Sequence, residues 1–446
     1  MDVAPSYWNP KHETMPRADL EALQLFKLRK MAAWSAERSP FHRQKFAEAG
    51  FHHDQLRSLD DLRRIPLTTK EEWLANQQEH PPYGTHLTAP AELAQRLHQT
   101  SGTTGRTPLR VLDGTKDWHW GAEMWAYGFH AAGIRRADIF YICFGYGTFI
   151  GFWGAHYGAE KLGALVIASG GQTSEGRIRQ IFDVGATTVC ATPTYALRLA
   201  EVARSMGVDL AGGPVKRLIL SGEPGGSLPA TRRLIEEAWD AEVMDTAGMS
   251  EIGTICMFEC DHHPGGMHII EDNFIEEVVH PQTGEPGGYG EEGERIVTSF
   301  GRGFMPLIRY KTGDLVRRLP YTACDCGRTF DVYHGGIVGR VDDMKLIRGI
   351  NVYPSSVEAI VREFPAVDEF QIVITRERGV YDEITIWCEL KPGLEEQWPA
   401  LSARLDAALA DGHGGLRFTL KQAQHGDLPR FELKARRLVD RREVQR

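Results

Sequence analysis

The chain has 446 residues, 42% of them hydrophobic and 25% charged, a composition typical of a globular protein with more than one domain. Its net charge of -9 provides no positive field for nucleic acid, so we expect no nucleic-acid partner. No apolar run approaches the roughly 20 residues that cross a bilayer, and the N-terminus lacks the form of a signal peptide. We therefore expect a cytoplasmic protein with no membrane partner.

The first 80 residues have helical character. Leu20, Leu23, Leu25 and Leu28 recur at helical spacing in a segment that we expect to end before Ser39-Pro40. Residues 7–24 read YWNPKHETMPRADLEALQ. This opening resembles the start of the phenylacetate–CoA ligase family of adenylate-forming enzymes, and the expectations drawn from that resemblance are identified as such below.

Residues 99–110, QTSGTTGRTPLR, form a loop rich in Ser, Thr and Gly. Hydroxyls and backbone N–H groups in such a loop can donate to phosphate oxygens, although a surface turn between two strands is the alternative. The loop lacks the Gly-Lys-Ser/Thr ending of a Walker loop. It is similar to the phosphate loop of adenylate-forming enzymes, in which a basic residue follows. The resemblance implies that ATP is bound by Ser101, Gly102, Thr103, Thr104, Gly105, Arg106 and Thr107.

Short apolar runs then alternate with helical segments. The runs lie at 139–144, 165–168, 188–191 and 217–220, with helical patterns near 177–182, 196–205 and 230–239. This rhythm predicts an α/β fold with a parallel sheet covered by helices. From about Met267 to Arg318 the pattern changes to strands with Gly-rich turns, which predicts a β-rich section closing a large N-terminal domain. The resemblance implies that this is an adenylation domain.

A domain boundary is predicted at 339/340. Gly335, Gly336 and Gly339 precede it, and residues 340–446 then read as a small α+β unit. We expect its helices to begin near Ser355 and Leu394, and its strands near 370–375, 383–390 and 418–422. In the family that this chain resembles, the small domain is mobile.

The segment AGMSEIG, residues 247–253, follows a predicted strand. We expect Glu251 to lie where this strand meets a helix, where its carboxylate could hold Mg²⁺ or simply complement the helix dipole. The resemblance assigns Glu251 the magnesium role. It also places Ala247, Gly248, Met249 and Ser250 at the nucleotide. The family usually has an aromatic residue at the position of Ala247, so the adenine contact could instead come from Gly222, Glu223 and Pro224.

Two later segments match the family in order. In RYKTGDLVRR, residues 309–318, the resemblance implies that Asp314 grips the ribose, and a common hairpin corner is the alternative. In GRVDDMKLIRGINVYP, residues 339–354, it implies that Arg340 contacts the nucleotide and that Asp342 is the hinge. It also places Gly349 in the loop on the coenzyme A side.

The C-terminal segment LPRFELKARRLVD, residues 428–440, contains Lys434. A lysine on a mobile domain can donate to both the substrate carboxylate and the α-phosphate. The resemblance assigns that catalytic role to Lys434, and a solvated lysine in a basic tail is the alternative. The family more often has Gly where Leu433 precedes this lysine.

The seven cysteines are clustered, which fits a reducing compartment and a metal site better than a disulfide framework. Cys324 and Cys326 stand one residue apart, and FECDHHPGGMH supplies Cys260 with three histidines, His262, His263 and His268. Some relatives carry a similar set, which implies a closed structural zinc site formed by Cys260, His268, Cys324 and Cys326. Free buried thiols are the alternative, and spacing alone does not decide which histidine binds.

The segment FGYGTFIGFWGAHYG, residues 144–158, resembles the acyl pocket of the family. Its aromatic rings could enclose a flat aromatic acid or could belong to the core. A histidine here could contact a polar ring substituent. The predicted pocket residues are Tyr146, Phe149, Phe152, Trp153 and His156.

Together these features predict an ATP-dependent aryl or arylacetic acid–CoA ligase that uses Mg²⁺, ATP and coenzyme A and releases AMP and pyrophosphate. Its predicted partners are a small carboxylic acid, ATP and coenzyme A. Two alternatives stay open: transfer of the acyl group to an amine or carrier-protein thiol, and a non-catalytic nucleotide-binding protein. The sequence also leaves open whether the protein is a monomer or a homodimer.

Overall fold

The computed structural model describes residues 7–100, 108–348, 350–377, 381–431 and 434–442. None of the described helices combines the length and apolar character that crossing a membrane requires. The α-helices are α1 (Pro10–Glu13), α2 (Arg17–Arg38), α3 (Pro40–Glu48), α4 (Lys70–Glu79), α5 (Thr115–Ala131), α6 (Gly151–Lys161), α7 (Ser174–Val184), α8 (Pro193–Ser205), α9 (Pro229–Trp239), α10 (Pro354–Arg362) and α11 (Trp398–Gly412).

The strands lie in four sheets. They are β1 (Arg96–Gln99), β2 (Arg110–Asp113), β3 (Ile139–Ile142), β4 (Leu165–Ala168), β5 (Thr188–Ala191), β6 (Arg217–Ser221), β7 (Glu242–Met249), β8 (Thr254–Glu259), β9 (Gly266–Ile269), β10 (Phe274–Val279), β11 (Glu292–Ser299), β12 (Tyr310–Leu319), β13 (Val332–Arg340), β14 (Lys345–Ile347), β15 (Ile350–Val352), β16 (Val367–Glu377), β17 (Tyr381–Leu390), β18 (Thr419–Ala423) and β19 (Leu438–Asp440).

The helical lead-in is confirmed. Helix α2 ends at Arg38, and the Ser39 side chain then accepts from the backbone N–H of His42 to cap α3. Pro40 occupies the first position of α3, where the missing N–H costs nothing. Leu20 and Leu28 are buried on the inner face of α2. The predicted stop therefore has a physical cause in the Ser-Pro pair.

One large mixed sheet forms the centre of the chain, in the order β10-β11-β12-β13-β9-β8-β7-β6-β5-β3-β4. Strands β3 to β7 are parallel and the others antiparallel, which confirms the α/β section followed by a β-rich section. The two sections form one continuous sheet because β8 pairs antiparallel with β7. Gly248 permits this close pairing, since a Cβ there would lie 2.2 Å from the Thr254 carbonyl oxygen.

Helices cover both faces of the parallel strands. Along β3, Phe140 and Ile142 belong to the core beneath α5 and α6, whereas Tyr141 packs with α7 and α8 on the opposite face. This alternation follows from the two-residue period of a strand buried on both sides. The strands thereby present their carboxyl ends, rather than a face, to solvent.

The C-terminal part has its own small core. Strands β16 and β17 pair antiparallel, β18 and β19 flank them, and α10 and α11 pack against the sheet. Helix α10 begins at Pro354, next to its predicted start, and α11 begins at Trp398 after a short 3-10 turn. Strand β13 of the large sheet runs to Arg340, so the last paired residue of that sheet is the first residue of the predicted small domain. The division at 339/340 stays a prediction.

Candidate active site

The predicted site segments meet at the carboxyl ends of the parallel strands. Residues 144–150 follow β3, residues 222–224 follow β6, and residues 247–251 lie at the end of β7. Loops at this edge are where open α/β sheets bind ligands. The predicted site is thus assembled from segments that are far apart in sequence.

The predicted phosphate loop, residues 101–107, lies outside the described residues, but its flanks do not. Strands β1 and β2 pair antiparallel on either side of it, with Gln99 opposite Arg110. The backbone N–H of Gln99 also donates to the Thr148 carbonyl at 2.9 Å. Gln99, just before the loop, therefore lies beside the segment predicted to form the acyl pocket. A strand pair fits both the phosphate-loop interpretation and the plain surface turn.

Glu251 lies in the tight turn that joins β7 to β8, not at a junction with a helix as the sequence suggested. Its carboxylate is buried, and its Oε1 accepts from the Tyr310 hydroxyl at 3.3 Å. Arg302 holds the turn from behind by donating to the Glu251 carbonyl at 2.8 Å. The helix-dipole alternative is therefore wrong, because no helix begins at this turn.

Lys70 is a site residue that the sequence analysis missed. Its Nζ lies 3.3 Å from Glu251 Oε1, and its side chain is partly exposed. Lys70 begins α4, whose start is fixed by a reciprocal capping pair between Thr69 and Glu72. A Thr followed three residues later by Glu was the available signal, but it predicts a helix start and not a contact 181 positions away along the chain.

Asp314 lies on β12 directly opposite Arg340 on β13. Arg340 Nη1 donates to Asp314 Oδ1 at 2.6 Å, and the same guanidinium grips Asp342 through Nε at 2.8 Å and Nη2 at 3.1 Å. These carboxylates raise the pKa of Arg340 above its ordinary value despite its burial. The predicted ribose and hinge residues are thus linked through one cation.

A second arginine supports Asp314 from inside the sheet. Arg295 is buried and lies 3.4 Å from Asp314 Oδ2. It also makes two hydrogen bonds to Glu276, at 2.7 and 2.6 Å. Because a buried arginine needs acceptors for its donors, this pairing fixes the orientation of the Asp314 carboxylate. Nothing in the sequence singled out Arg295.

Lys434 reaches the same cleft from the C-terminal part. Its Cε would lie 3.6 Å from a Cβ on Gly222, and its Nζ lies 5.3 Å from the centre of the Phe149 ring. The residue is solvent-accessible within the cleft, yet the surrounding protein lowers the pKa of Lys434, chiefly by desolvation. The nearby Glu251 and Asp314 oppose that effect. An anionic ligand bound here would therefore contact Lys434, whose positive charge Glu251 and Asp314 only partly neutralise.

The three residues proposed for adenine behave differently from one another. Gly222 has a φ of +98°, and Pro224 is exposed. The Glu223 carboxylate is occupied, because it accepts from the backbone N–H groups of Thr194 at 2.9 Å and Ala435 at 2.8 Å. Ala247 is half-buried on β7. Adenine contacts by Gly222, Glu223, Pro224, Ala247, Gly248, Met249 and Ser250 stay predictions.

The aromatic rings after β3 divide into buried and accessible groups. Phe152 is buried and stacks on Phe144, with ring centres 3.7 Å apart. Phe149 and Trp153 are only half-buried, and Phe149 faces Lys434. Tyr146 packs edge-on against Trp153 at 4.7 Å. Of these accessible rings, Phe149 lies beside the lysine, and Phe152 lies in the core.

Both ring nitrogens of His156 have partners. Nδ1 lies 2.9 Å from the Tyr146 hydroxyl, and Nε2 lies 3.2 Å from Glu160 Oε1. An ionised Glu160 can only accept, so Nε2 carries the proton and Nδ1 accepts from Tyr146. Tyr146 then presents its oxygen lone pairs, and His156 has no free nitrogen for a substrate substituent.

Cys260, His268, Cys324 and Cys326 are buried together, and their potential ligand atoms all lie within 4.8 Å of one another. The Cys260 and Cys324 sulfurs are 3.7 Å apart, and the His268 Nε2 lies 3.5 Å from Cys260 Sγ and 3.3 Å from Cys326 Sγ. Tetrahedral zinc with ordinary bond lengths requires about 3.8 Å between sulfurs and about 3.6 Å between sulfur and nitrogen. The three distances given above are close to these values, so the donor set is suited to zinc.

The remaining ambiguity in the cysteine cluster concerned the histidine. His268 has its Nδ1 3.1 Å from the Phe330 carbonyl, which orients Nε2 toward the sulfurs. His262 instead pairs with Asp325 at 3.1 Å, and His263 Nδ1 lies 3.0 Å from the Ala323 carbonyl. Of the three candidates, only His268 offers a nitrogen to the cluster.

The chain is 40% identical over 385 residues to a curated phenylacetate-coenzyme A ligase of Thermus thermophilus. The match covers 86% of this chain and 84% of that one. The chain is 35% identical over 439 residues to that of Escherichia coli, covering 97% of each. Residues 349–442 match the family described as AMP-binding enzyme C-terminal domain.

A crystal structure of 2-hydroxyisobutyryl-CoA ligase in the postadenylation state with 2-HIB-AMP matches with a TM-score of 0.93 and 32% identity, covering 100% of this chain and 94% of that chain. The same enzyme in its thioesterification state, with 2-HIB-AMP and CoA, covers the same shares at a TM-score of 0.74 and 33% identity. The present structure is thus more similar to the postadenylation state of that enzyme than to its thioesterification state. Full-length similarity and a shared arrangement lead to one conclusion: the chain belongs to the phenylacetate–CoA ligase family of AMP-forming acid–CoA ligases.

Proposed function

We propose that this protein activates an aryl or arylacetic acid with ATP and transfers the acyl group to coenzyme A. The observation that carries the proposal is the convergence of Glu251, Asp314, Arg340 and Lys434 on one cleft, through the contacts described above. Two curated relatives that cover most of this chain are named phenylacetate-coenzyme A ligases. We place the reaction in the cytoplasm, where ATP and coenzyme A are both available.

In the first half-reaction the substrate carboxylate attacks the α-phosphate of ATP, the bond to the β-phosphate breaks, and pyrophosphate leaves. Residues 101–107 bind the phosphates, Asp314 holds the ribose hydroxyls, and Arg340 contacts the nucleotide. Lys434 donates to the carboxylate and the α-phosphate as charge moves between them. The acid is already ionised at neutral pH, so no strong base is needed and positioning carries much of the rate.

Glu251 is the proposed magnesium ligand. A buried carboxylate at a rigid turn provides the hard oxygen that Mg²⁺ prefers, and the ion would neutralise the phosphate charge. In the described structure Lys70 provides the positive charge next to Glu251. Lys70 and Glu251 together would therefore face the phosphates, with the lysine free to turn toward an anionic oxygen.

In the second half-reaction the small domain turns about Asp342 and withdraws Lys434. Coenzyme A then enters from the side of Gly349, which lies outside the described residues. Its thiol attacks the acyl carbonyl, AMP leaves with the bonding pair, and the thiol proton is released. The contact between Arg340 and Asp342 lies at this proposed hinge, so the turn of the small domain would change it.

The proposed acid is flat and aromatic. Phe149 is a half-buried ring next to Lys434, Trp153 is a half-buried ring that packs against Tyr146, and Tyr146 and His156 form a polar boundary. Aromatic acids bury a large apolar area against such rings while the carboxylate stays with the lysine. Phe152 supports this wall from the core.

We propose that Cys260, His268, Cys324 and Cys326 hold structural zinc. Four protein ligands leave no open position, so the metal would stabilise the fold and take no part in the reaction. The N-terminal segment packs on the same turn, because the Tyr7 hydroxyl donates to the Cys326 carbonyl at 2.7 Å. The site would therefore connect the first residues of the chain to the β-rich section.

The test is pyrophosphate release with ATP, Mg²⁺ and a panel of phenylacetate, benzoate, hydroxylated aryl acids and aliphatic acids, each with and without coenzyme A. We expect release with an aryl or arylacetic acid, thioester only when coenzyme A is present, and loss of release in Lys434→Ala. An exposed lysine such as Lys116 provides the matched control, Lys116→Ala.

The other outcomes separate the alternatives. Product formed without coenzyme A but with an added amine or carrier protein would support a different acceptor. Release confined to aliphatic acids would overturn the proposed substrate class while leaving the ligase chemistry intact. If the protein binds ATP but releases no pyrophosphate with any acid in the panel, the proposed activity is contradicted.

A further inference from the structure

The Glu223 carboxylate bridges two distant parts of the chain. One oxygen, Oε1, accepts from the backbone N–H of Thr194 at 2.9 Å. The other, Oε2, accepts from the backbone N–H of Ala435 at 2.8 Å. Thr194 belongs to the large domain, and Ala435 follows the proposed catalytic lysine in the C-terminal part. A single side chain therefore holds these two backbones together.

The Thr194 end of this bridge is firmly anchored. Thr194 is the second residue of α8, which begins with Pro193, so the first helical position has no N–H. Thr192 satisfies the next donor, the N–H of Tyr195, through its hydroxyl at 3.2 Å. Glu223 satisfies the remaining N–H between them, and its negative charge complements the helix dipole. The start of α8 thus fixes where the Glu223 carboxylate lies.

The Ala435 end determines where Lys434 lies. Ala435 directly follows Lys434. The hydrogen bond from the Ala435 N–H to Glu223 therefore fixes the backbone that carries the Lys434 side chain. That side chain passes over Gly222, which precedes Glu223 and has no Cβ to obstruct it. Position and orientation of the lysine therefore both depend on the turn formed by residues 222 and 223.

The burial of Glu223 raises the pKa of its carboxyl, although the hydrogen bonds from Thr194 and Ala435 oppose that rise. An acceptor in this position is costly unless both of its oxygens are used. The Glu223 charge also partly offsets the lowered pKa of Lys434. Glu223 thus favours both the position and the charged form of the lysine.

We propose that Glu223 is a positioning residue for the adenylation half-reaction, which acts by docking the Lys434 segment onto the large domain and releases it for thioester formation. The inference rests on the proposed function of Lys434. The bond to Ala435 occurs in a structure arranged like the postadenylation state of a solved relative, with a TM-score of 0.93 against 0.74 for the thioesterification state. Because Glu223 is also hydrogen-bonded to Thr194 on α8, rotation of the small domain must break the bond between Glu223 and Ala435.

A purely structural role would look different. If Glu223 only capped α8, its removal would lower stability and affect both half-reactions alike. If it positions Lys434, the loss should be confined to the first half-reaction. The two half-reactions can be measured separately, so the distinction does not depend on stability.

The experiment uses the full chain with Glu223→Ala and Glu223→Gln. The first half-reaction is followed by acid-dependent ATP–pyrophosphate exchange, and the second by thioester formation from preformed phenylacetyl-adenylate and coenzyme A. We expect Glu223→Ala to slow exchange roughly 10- to 100-fold, the range for a lost hydrogen bond to a charged group, and to leave thioester formation within about 2-fold. Glu223→Gln keeps one acceptor oxygen and should fall in between.

Two further variants complete the design. Glu242→Gln alters an exposed carboxylate at the start of β7 and should change neither rate. In a Lys434→Ala background, Glu223→Ala should cause no further loss of exchange, because a residue that acts through the lysine cannot act without it. Melting temperatures report whether each variant folds, and Glu223→Gln serves if the alanine variant does not.

Equal losses in both half-reactions, or no loss in either, would overturn the inference while an active wild type keeps the proposed function. An additional loss in the Lys434→Ala background would also overturn it, since Glu223 would then have an effect independent of the lysine. A wild type that exchanges pyrophosphate with none of the acids would instead reject the proposed function, and this inference with it.

Discussion

Arg340 donates to the Asp314 carboxylate at 2.6 Å, across the last paired position of strands β13 and β12. The same guanidinium holds Asp342 in a two-point contact only two residues further on. Occupancy of the proposed ribose site and the conformation of the proposed hinge are therefore linked through one side chain. A ribose whose hydroxyls donate hydrogen bonds to Asp314 would compete with Arg340 for that carboxylate.

Replacing Arg340 with lysine should therefore impair adenylation more than a loss of charge would suggest. Lysine keeps the charge but cannot form the fork that contacts both carboxylates. We expect the KM for ATP in pyrophosphate exchange to rise about 10-fold or more. Arg317→Lys is the control, since Arg317 is exposed and lies 3.9 Å from its partner Glu292. An unchanged KM in Arg340→Lys would contradict the proposed nucleotide role.

The pH dependence of adenylation should reveal Lys434. Desolvation by the surrounding protein lowers the pKa of this lysine, so it loses its charge, and its ability to donate to the α-phosphate, at lower pH than an ordinary lysine. We expect kcat/KM for ATP to fall on the alkaline side with an apparent pKa below about 10.4, the ordinary lysine value. In Lys434→Arg this decline should disappear or move to higher pH. An identical decline in that variant would assign the ionisation to another group.

Removal of a proposed zinc ligand should destabilise the β-rich section. We expect Cys326→Ser to lose stoichiometric zinc, measured by elemental analysis of the purified protein, and to melt roughly 5–10 °C lower. His262→Ala is the matched control, because His262 pairs with Asp325 outside the cluster. Equal zinc content in Cys326→Ser and the wild type would exclude the proposed ligand set.

Asp245 should make stability depend on pH near neutrality. Burial and the neighbouring Glu259 raise the pKa of Asp245 to about 7. The folded protein then binds more protons than the unfolded chain between about pH 4 and 7, so the free energy of unfolding decreases as the pH rises through that window. The loss at pH 8 is roughly 4 kcal/mol at most.

Asp245→Asn removes this ionisation, so the melting temperature of the variant relative to the wild type should be higher at pH 8 than at pH 5. The variant loses some of the hydrogen bonding with Ser227, which is 2.9 Å away, at both pH values. Only the difference between the two pH values therefore tests the ionisation. A constant difference across that range would show that Asp245 is not protonated in the folded protein.

Much of the fold could be predicted because its signals are local. The strand at 188–191 and the helix near 196–205 followed from apolar periodicity, and both are confirmed at Thr188–Ala191 and Pro193–Ser205. The alternation also predicted parallel strands, because crossover helices require them. The continuity of the two sheet sections was not predictable, since it depends on the antiparallel pairing of β7 with β8 around Gly248.

The site was predicted mainly by resemblance to a family, whereas the residues that contact its side chains were not predicted. Lys434 and Glu251 lie in recognisable sequence motifs. By contrast, no motif around Lys70 or Arg295 indicates that they contact Glu251 and Asp314. Glu223 was assigned to adenine because of its motif, but its carboxylate is held by two backbone N–H groups. One of these lies 212 positions away in the chain. Such contacts arise only once the tertiary structure forms, so short-range patterns carry no information about them.

Tyr146 should determine how the enzyme treats polar substituents on its acid. Glu160 fixes the His156 tautomer, the Tyr146 hydroxyl donates its hydrogen bond to His156 Nδ1, and the Tyr146 oxygen can then accept from the substrate. An acid whose ring carries a hydroxyl or amino donor could then bind Tyr146, which an unsubstituted ring could not. We expect Tyr146→Phe to lower kcat/KM for a hydroxylated arylacetate by about 10-fold relative to phenylacetate, the order of one lost neutral hydrogen bond.

The role of His156 follows from the same arrangement, because it orients Tyr146 and need not contact the acid. His156→Ala should therefore shift preference in the same direction as Tyr146→Phe but by a smaller factor, since the hydroxyl remains and only its orientation is released. Competition between phenylacetate and its hydroxylated analogue in a single reaction measures the ratio directly. If His156→Ala shifted the ratio more than Tyr146→Phe, the histidine itself would contact the substituent. If neither variant changed the ratio, the pair would lie outside the acyl pocket, and the polar boundary proposed for it would have to be abandoned.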